Sequence, residues 1–536
     1  MKKIILLCFV LMSLGSYAQL TEEWGLTFPG DGQGYDDYVR AIDFDENDNI
    51  ISTHLESPYN FQILRKHDPN GNLLWEKELP MYMASYPLLA VCPNQNILLL
   101  AGYNDDMNIA LTDGAIFSYS GDFYFALFIM NDSGDMMDIK VIDFDQGQGT
   151  IYELMMNDDN EIFITLKLDV NAGSPTSTVN FDSGNTISTD IDKTYIVKLD
   201  ATGNYINHTD FTGDYNGASF IFDDILYTWK NNYPEGFSFY KHDMDLNQLM
   251  NLNTTGYSFL LSDIFVNEFG VFVSGRNRYD GEEEPTDFDF GNSEYILDTN
   301  INYSTAVMAG YSHDGELKFV NSLNCLSYGF TQITGRDSFI YGSGEIYVYS
   351  TYSELEQSEI LWSNGLVADL VEEEEDHKEY GNLVIAQMDY NGNNISTYNR
   401  DILGAERMVD LKTDNANNLY TCGKIHDTLF IFNNSILSSS FHADGVLLKF
   451  GNLPLGINDI SNPPMYVYPN PTDDYIHFKS DNYKGKQYRI TNTVGQTILN
   501  GNIKGDLTKI DVRNLQQGSY LINIENISKA VKFIIP

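Results

Sequence analysis

Hydrophobic and polar residues alternate along most of the chain with the two-residue period of half-buried β-strands. Between residues 19 and 451, two strand–turn–strand patterns alternate. In the first, a turn of Asp, Asn or Gly joins two apolar strands, as at residues 41–51 and 154–164. In the second, an apolar and aromatic strand runs into Asp-x-x-Gly-Asn or a variant of it, as at residues 63–75 and 195–204. Helical periodicity is nearly absent, so the pattern predicts an all-β protein.

The second pattern recurs about every 60 residues, a spacing typical of repeat architectures. Its turn glycine, or Asn in a weaker copy, falls at Gly71, Gly134, Gly203, Asn247, Gly315, Gly392 and Gly451. Each pair of patterns supplies four antiparallel strands, and four-stranded sheets repeated in this way are typical of a β-propeller. We therefore expect a propeller of about seven blades over residues 19–452, with six or eight blades as the alternatives.

The two ends of this repeat region complement each other. The seventh copy stops at Phe450 without an outgoing strand, and residues 23–28 resemble the outgoing strand at residues 75–79. We expect this N-terminal strand to complete the last blade, which would close the ring and remove an exposed strand edge.

The N-terminus has the three-part pattern of a secretory signal peptide. Lys2 and Lys3 precede an apolar run at residues 4–14, and small residues lead to an expected cleavage between Ala18 and Gln19. The run is too short to span a bilayer. Since no later stretch approaches 18 apolar residues, we expect no transmembrane segment in the mature chain.

Charge distinguishes the C-terminal part of the chain from the rest. The whole sequence has 31 Lys and Arg against 76 Asp and Glu, a formal net charge of −45. So acidic a chain lacks the basic face that nucleic acid requires, which excludes nucleic acid as a partner. Residues 463–536 nevertheless carry nine basic and six acidic side chains. This change, together with three prolines in residues 453–464, predicts a linker there and a separate domain at residues 465–536.

The C-terminal domain shows seven short strands separated by turns, which predicts a small Ig-like β-sandwich. An ordered set of residues accompanies them: Tyr468, Pro469, Asn470, Pro471, Gly495, Leu515, Gly518, Tyr520 and Lys532. This set resembles the type A C-terminal sorting domain of the type IX secretion system of the Bacteroidetes phylum. The resemblance implies Sec export to the periplasm, transfer across the outer membrane by the type IX machinery, and release or attachment at the cell surface.

Several other features leave alternatives open. The turns at residues 68–72 and 389–393 suit tight hairpins, with calcium as the alternative ligand. The acidic run at residues 372–376 is interpreted as a solvated loop, with a cation site as the alternative. Several insertions carry variants of an Asp-Phe motif, at residues 179–184, 286–291 and 428–432, and loosely resemble SBBP-type extracellular propeller repeats. Cys92, Cys325 and Cys422 are too few for a disulfide scaffold, so we expect buried thiols.

No catalytic motif emerges from the sequence. Zinc-binding HExxH, the GxSxG elbow and a phosphate-binding loop are all missing from the sequence. We therefore assign no catalytic, cofactor or metal residue, and expect a non-catalytic binding or adhesion module for a glycan or protein. The alternative is a secreted propeller enzyme, a glycosidase or lyase. Two or three carboxylates with an Arg or His at the channel mouth would favour the enzyme.

Overall fold

The computed structural model describes most of the repeat region and the cores of the C-terminal strands. The described residues are 20–28, 37–56, 61–82, 87–103, 106–121, 123–144, 149–170, 176–182, 184–212, 217–231, 237–253, 260–276, 306–324, 327–336, 339–347, 359–362, 367–369, 381–400, 407–425, 429–432, 435–438, 444–452, 466–468, 475–479, 486–492, 496–504, 507–524 and 530–535. The chain forms two compact units, a large unit over Gln19–Asn452 and a C-terminal unit that includes Leu453–Pro536. The expected cleavage site at Ala18 and Gln19 lies outside the described residues.

Every regular element in the described part of the chain is a β-strand, which confirms the all-β prediction. The large unit begins with β1 (Leu20–Phe28). Sheet 1 follows with β2 (Tyr38–Phe44), β3 (Ile50–Glu56), β4 (Phe61–His67) and β5 (Leu73–Tyr82). Sheet 2 has β6 (Leu88–Val91), β7 (Ile97–Tyr103), β10 (Tyr124–Met130) and β11 (Met136–Phe144), and the hairpin β8 (Met107–Ala110) and β9 (Ile116–Tyr119) lies between β7 and β10 in the chain. Sheet 3 has β12 (Gly149–Met156), β13 (Ile162–Leu168), β16 (Lys193–Leu199) and β17 (Tyr205–Thr212). The strands β14 (Ser177–Phe181) and β15 (Thr186–Thr189) lie between β13 and β16 in the chain but do not belong to this sheet.

The remaining strands of the large unit repeat this arrangement. Sheet 4 has β18 (Gly217–Phe222), β19 (Ile225–Asn231), β20 (Phe237–Asp243) and β21 (Gln248–Asn253). Sheet 5 has β22 (Leu260–Asn267), β23 (Gly270–Arg276), β24 (Ala306–Tyr311) and β25 (Leu317–Asn324). Sheet 6 has β26 (Ser327–Arg336), β27 (Phe339–Tyr347), β30 (Gly381–Asp389) and β31 (Asn394–Arg400). The strands β28 (Glu359–Trp362) and β29 (Val367–Asp369) lie between β27 and β30 in the chain but do not belong to this sheet. Sheet 7 has β32 (Arg407–Thr413), β33 (Leu419–Ile425) and β36 (Asp444–Asn452), with the hairpin β34 (Leu429–Phe432) and β35 (Ser435–Ser438) between the last two in the chain.

The sheets pack face to face, in a propeller-like way, and this packing determines which strands are apolar. The second and third strands lie in the interior of each sheet, and both β7 and β10 are buried at every residue. Strands buried on both faces are continuous hydrophobic runs rather than alternating ones. In sheets 1, 3, 4 and 6 the fourth strand lies at the opposite edge, and in sheet 4 this strand, β21, keeps an alternating, largely exposed pattern.

The first strands contact one another in sequence, β2 with β6, β6 with β12, β12 with β18, β18 with β22, β22 with β26, and β26 with β32. The last of them, β32, also contacts β2. The N-terminal strand β1 pairs antiparallel with β36 in sheet 7, with Trp24 opposite Lys449 and Phe28 opposite Gly445. This is the partner that the sequence predicts for residues 23–28.

Two of the insertions add strands to a neighbouring sheet. The hairpin β14–β15 belongs in sequence to sheet 3, yet β14 pairs with β11 at the edge of sheet 2. The hairpin β28–β29 likewise pairs with β25 at the edge of sheet 5. The insertion motif at residues 179–184 lies mainly in β14, and the motif at residues 428–432 lies mainly in β34. The motif at residues 286–291 lies outside the described residues.

The turn positions differ from the sequence prediction in two copies. In sheet 4 the residue with positive φ is Leu246 (φ 64°), whereas Asn247 is the last residue of the turn. Leu246 accepts this strained conformation because its side chain is buried against the core. Gly451 forms no turn and lies within β36, since β1 supplies the outgoing strand of that sheet.

The C-terminal unit has two antiparallel sheets. One contains β37 (Tyr466–Tyr468), β38 (Tyr475–Lys479) and β41 (Leu507–Asp511). The other contains β39 (Gln487–Asn492), β40 (Thr497–Asn502), β42 (Gly518–Ile524) and β43 (Ala530–Ile535). Side chains from both sheets form one core, with Ile476 and Ile510 from the first and Ile490 and Ile522 from the second. The linker at 453–464 lies outside the described residues.

Among the described cysteines, Cys92 and Cys422 are buried free thiols, and Cys325 lies outside the described residues. Within the ranges given above, the chain contains no helix of the length and hydropathy needed to cross a membrane.

Candidate functional site at the inner edges of the sheets

The first strand of each sheet is an edge strand, so the N–H groups on its outer side need acceptors from elsewhere. Asp410, in β32 of sheet 7, supplies such an acceptor to sheet 1. Its Oδ2 accepts a 2.9 Å hydrogen bond from the N–H of Ile42 in β2, and its Oδ1 accepts one from the N–H of Leu411. The carboxylate therefore joins two first strands that are far apart in the sequence.

The same type of hydrogen bond, from a backbone N–H of one first strand to a carboxylate of another, joins two other pairs of sheets. Asp263 of β22 accepts from the N–H of Ile333 in β26 at 2.9 Å and from the N–H of Ile264 at 2.8 Å. Glu153 of β12 accepts from the N–H of Ser219 in β18 at 2.7 Å. These bonds link sheet 5 to sheet 6 and sheet 3 to sheet 4.

A β-bulge precedes each of these three acids. The register shifts between Ile151 and Glu153 in β12, between Leu261 and Asp263 in β22, and by the same spacing before Asp410 in β32. A bulge redirects a side chain from its normal position on the sheet face. The bulge therefore allows the carboxylate to reach the next sheet.

A fourth acid brings a cation into the cluster. Asp43 of β2 accepts a 2.7 Å hydrogen bond from the N–H of Val91 in β6. Its other carboxylate oxygen lies 3.2 Å from the ammonium of Lys412 in β32. Asp43, Glu153, Asp263, Asp410 and Lys412 are called the inner-edge cluster below.

The pKa values show how closely these groups interact. Burial raises the pKa of Asp263 to about 7, against the two backbone hydrogen bonds, and the negative charges of Asp410 and Glu153 add to the increase. Burial likewise raises the pKa of Asp410, with Lys412 acting in the opposite direction. For Lys412, burial disfavours the charge, but Asp43 and Asp410 outweigh it and raise its pKa. The cluster thus combines an ammonium held by Asp43 with two carboxyl groups, Asp263 and Asp410, whose pKa values burial raises.

The hydrogen bonds that the carboxylates of the inner-edge cluster already accept limit the chemistry that these groups can perform. Each acid uses at least one oxygen to accept a backbone N–H, and Asp263 and Asp410 use both oxygens in this way. In the described part of the chain, no three His, Cys, Asp or Glu side chains are grouped so that they could hold a metal ion. Asp263 retains the capacity to exchange a proton near pH 7.

The acidic turns that join the third and fourth strands of sheets 1 and 6 are internally bonded hairpins. Asp68 Oδ1 accepts from the N–H groups of Asn70 and Asn72, and its Oδ2 accepts from the Asn72 amide at 2.8 Å. These bonds lower the pKa of Asp68. The turn at Asp389 has the same three bonds. The local sequence thus satisfies its own carboxylate, as a tight turn requires.

Sequence reasoning missed the inner-edge cluster. Its members lie within ordinary strands, and the local sequence contains no sign of the bulge or of the neighbouring sheet. A possible signal is an acid at a position where the strand pattern requires an apolar residue, as at Asp263 between Leu261 and Ile264. With 76 acids in the chain, that signal is weak on its own.

The sorting-motif residues are distributed over the C-terminal unit. Leu515 packs on the core and donates its N–H to the carbonyl of Val512, and Tyr520 is buried with its hydroxyl donating to the carbonyl of Gln516 at 2.7 Å. Tyr468 lies in β37, Gly518 begins β42, and Lys532 lies in β43. Pro469, Asn470, Pro471 and Gly495 lie outside the described residues.

Residues 466–536 match the family described as the secretion system C-terminal sorting domain. This confirms the predicted resemblance to a secretion-system C-terminal sorting domain, whereas the type A class and the Bacteroidetes origin stay predictions. The match implies the type IX secretion machinery as a partner, and a secreted or cell-surface location. No curated protein matches the sequence.

Solved structures resemble the chain only distantly. A polysaccharide lyase, Uly1, is 12% identical, with a TM-score of 0.42, and the match covers 82% of this chain and 100% of that one. A DUF4221 family member from Bacteroides vulgatus is 11% identical with a TM-score of 0.32, over 82% and 99% of the two chains. PorZ, a surface component of the type IX system of Porphyromonas gingivalis, is 11% identical with a TM-score of 0.15, over 96% and 100%. The expected resemblance to SBBP-type repeats stays a prediction.

Proposed function

We propose that this protein is a type IX secretion cargo whose large unit is a seven-bladed, closed β-propeller that acts as a non-catalytic binding module for an extracellular glycan or protein. In this proposal residues 1–18 are a signal peptide, residues 453–464 a linker and residues 465–536 an Ig-like sorting sandwich. The match of residues 466–536 to the sorting-domain family supports the export route.

The order of strand contacts supports the ring. Each first strand contacts the first strand of the next sheet, and β32 contacts β2. The carboxylate of Asp410 and the indole of Trp24 both bond across from sheet 7 to sheet 1, the indole through a 3.1 Å hydrogen bond to the carbonyl of Pro69. Closure by β1 would therefore need no covalent link between the first and last sheets.

The use of the inner-edge carboxylates supports binding rather than catalysis. A general acid or nucleophile needs an oxygen free to meet the substrate. In the inner-edge cluster, the oxygens of Asp263 and Asp410 are engaged by backbone N–H groups. We therefore interpret these acids as structural acceptors that join the blades, and assign ligand binding to the loops.

An array of glycans and polysaccharides tests this proposal on the chain without its first 18 residues, with an assay for new reducing ends and unsaturated products on every hit. Binding without product is the expected result. Product formation would contradict the non-catalytic assignment. Binding to no glycan, with capture of a surface protein instead, would identify the ligand as a protein.

One observation favours the enzyme alternative, a propeller glycosidase or lyase. Asp263 has a pKa of about 7 and shares its cluster with Lys412, so it could serve as a proton donor at neutral pH. If product forms, Asp263→Asn should abolish it while Glu153→Gln leaves it measurable. Product formation unchanged in Asp263→Asn would place the chemistry elsewhere.

A further inference from the structure

The contact between the closing strand and the first sheet has an unusual composition. Phe28, the last residue of β1, packs edge-on against the ring of His54 at a centroid distance of 4.3 Å. The ring of His67 lies 5.9 Å from Phe28, and the guanidinium of Arg65 lies 5.0 Å above it. One aromatic side chain of sheet 7 therefore covers three nitrogen-containing side chains of sheet 1. This contact is called the closing seam below.

Both histidines are deeply buried, His54 at 1% exposure and His67 at 3%. His54 Nε2 lies 2.7 Å from the hydroxyl of Ser52. No hydrogen-bond partner for Nδ1 of either ring is found among the described residues. The seam thus contains two imidazoles whose polar atoms are only partly satisfied, an arrangement that tolerates neutral rings but not charged ones.

The charged groups around the seam do not favour protonation. The positive charge of Arg65 in β4 acts on both rings, and His67 also acts on His54. Burial, and after it the positive charge of Arg65, lowers the pKa of His67 to about 4, although the negative charges of Asp68 and Glu76 partly oppose the shift. For His54, burial, Arg65 and His67 all lower the pKa.

We propose that the closing seam is an acid-sensitive latch, which holds β1 against the first sheet at neutral pH and releases this strand when the surroundings become acidic. The inference rests on the proposed closure of the ring. Sheets 7 and 1 also meet through the hydrogen bonds of Asp410 and Trp24. The closing seam differs from these because its two histidines lie against the last residue of β1, so loss of this contact acts on the N-terminal strand itself.

The direction of the effect follows from proton linkage. A histidine with a lowered pKa in the closed state binds a proton more readily once the seam opens, where its pKa returns to about 6.5. The closed state is therefore fully favoured above about pH 6.5 and loses stability as the pH falls toward 4. For His67 alone, the opening equilibrium constant should rise about 30-fold between about pH 7.5 and about pH 5, and His54 adds to this.

A matched control exists in sheet 4. His242 occupies the same position in β20 as His67 does in β4, next to the first residue of the turn, and Phe211 of sheet 3 packs against it at 5.7 Å. Burial lowers its pKa to about 4 as well. This histidine lies between consecutive sheets, so its protonation should not release β1.

Hydrogen exchange with mass spectrometry on the chain without its first 18 residues tests the latch, at about pH 7.5 and about pH 5, with correction for the intrinsic exchange rates. The expected result is an increase of about 30-fold or more in the opening of the β1 peptide at the lower pH, while strands of sheets 3 and 4 stay protected. His67→Met introduces the residue that sheets 2 and 6 carry at this position, Met130 and Met388, and should restore most of the protection. His242→Met should leave β1 exchange as in the parent.

Several results would overturn the latch. Equal protection of β1 at both pH values would show that protonation does not open the seam. Loss of protection in all sheets together would mean general acid unfolding. A β1 peptide that exchanges freely at neutral pH would reject the proposed ring closure itself. If His67→Met fails to fold, His67→Gln provides the second test, and unchanged acid opening in that variant would contradict the proposal.

Discussion

Two lysines of sheet 1 provide a direct measurement of what burial contributes to an ion pair in this protein. Lys66 in β4 is 3% exposed, and its ammonium lies 2.8 Å from the carboxylate of Asp45 and also bonds Asp132 in sheet 2. Lys77 in β5 reaches the same turn of sheet 2, at 2.8 Å from Asp135, but these two side chains are 39% and 46% exposed. The Lys66–Asp45 and Lys77–Asp135 distances are equal, and the two lysines differ in burial and in the second carboxylate, Asp132, that Lys66 binds.

The substitution Lys66→Met should destabilise the large unit by about 3 kcal/mol, because it leaves the buried Asp45 carboxylate without a counter-charge. The value is placed at the low end of the range for broken buried pairs because Asp45 keeps hydrogen bonds from Asn47 and Asn49 in its own turn. Lys77→Met should cost less than about 1 kcal/mol, since water screens an exposed pair.

Thermal unfolding of both variants measures the difference. The large unit spans Gln19–Asn452, and for a unit of this size about 1 kcal/mol corresponds to about 1 °C. We therefore expect a Tm reduced by about 3 °C for Lys66→Met and by about 1 °C or less for Lys77→Met. The double variant Lys66→Met/Asp45→Asn should recover part of the loss, because it removes the unpaired charge.

The pH dependence provides an independent test of the same pair. Burial opposes ionisation of Asp45, but its hydrogen bonds with Lys66 and Asn49 outweigh burial and hold its pKa below 3.8. A carboxylate with a lowered pKa stabilises the fold above its unfolded-state pKa and loses this effect as the pH falls. The difference between Lys66→Met and the parent should shrink below about pH 4. Equal destabilisation by both lysine variants, or a difference that does not depend on pH, would refute this account.

Three further predictions concern the turns, the inner edges and the sheet interfaces. Gly134→Ala should lower the unfolding free energy by about 3 kcal/mol, because φ is +74° and a Cβ would meet side-chain atoms at 2.9 Å. Gly114→Ala, with φ +84° and open space around it, should lower it by about 1 kcal/mol. Equal Tm values for the two variants would contradict this. Asp410→Ala should lower the unfolding free energy by about 1–3 kcal/mol, because the buried N–H of Ile42 loses its acceptor, and a variant as stable as the parent in urea would show that the acid does not join the sheets. His242→Leu should raise stability relative to the parent by about 2 kcal/mol at about pH 5 and by almost nothing at about pH 7.5; a gain independent of pH would indicate improved packing instead.

The sequence pattern alone was sufficient to predict the all-β class, the sorting-domain family of the C-terminal residues and the seven short strands in the described part of the C-terminal unit. These features depend on local physics. Strand alternation and the hydrogen bonds of the Asp68 turn involve residues at most four positions apart. The sorting-domain residues are likewise recognisable because they keep a fixed order within a short segment.

Other features could not be predicted, because they depend on contacts between distant parts of the chain. Asp410 accepts its hydrogen bond from Ile42 across 368 positions. The hairpin β14–β15 extends a sheet to which it does not belong in sequence, and Leu246, rather than the expected Asn247, takes the positive φ of its turn while its side chain packs in the core. A carboxylate, a histidine or a turn residue has the same appearance in the sequence whatever surrounds it. Its role is decided by burial and by the partner that the neighbouring sheet supplies, and both exist only once the sheets have packed together.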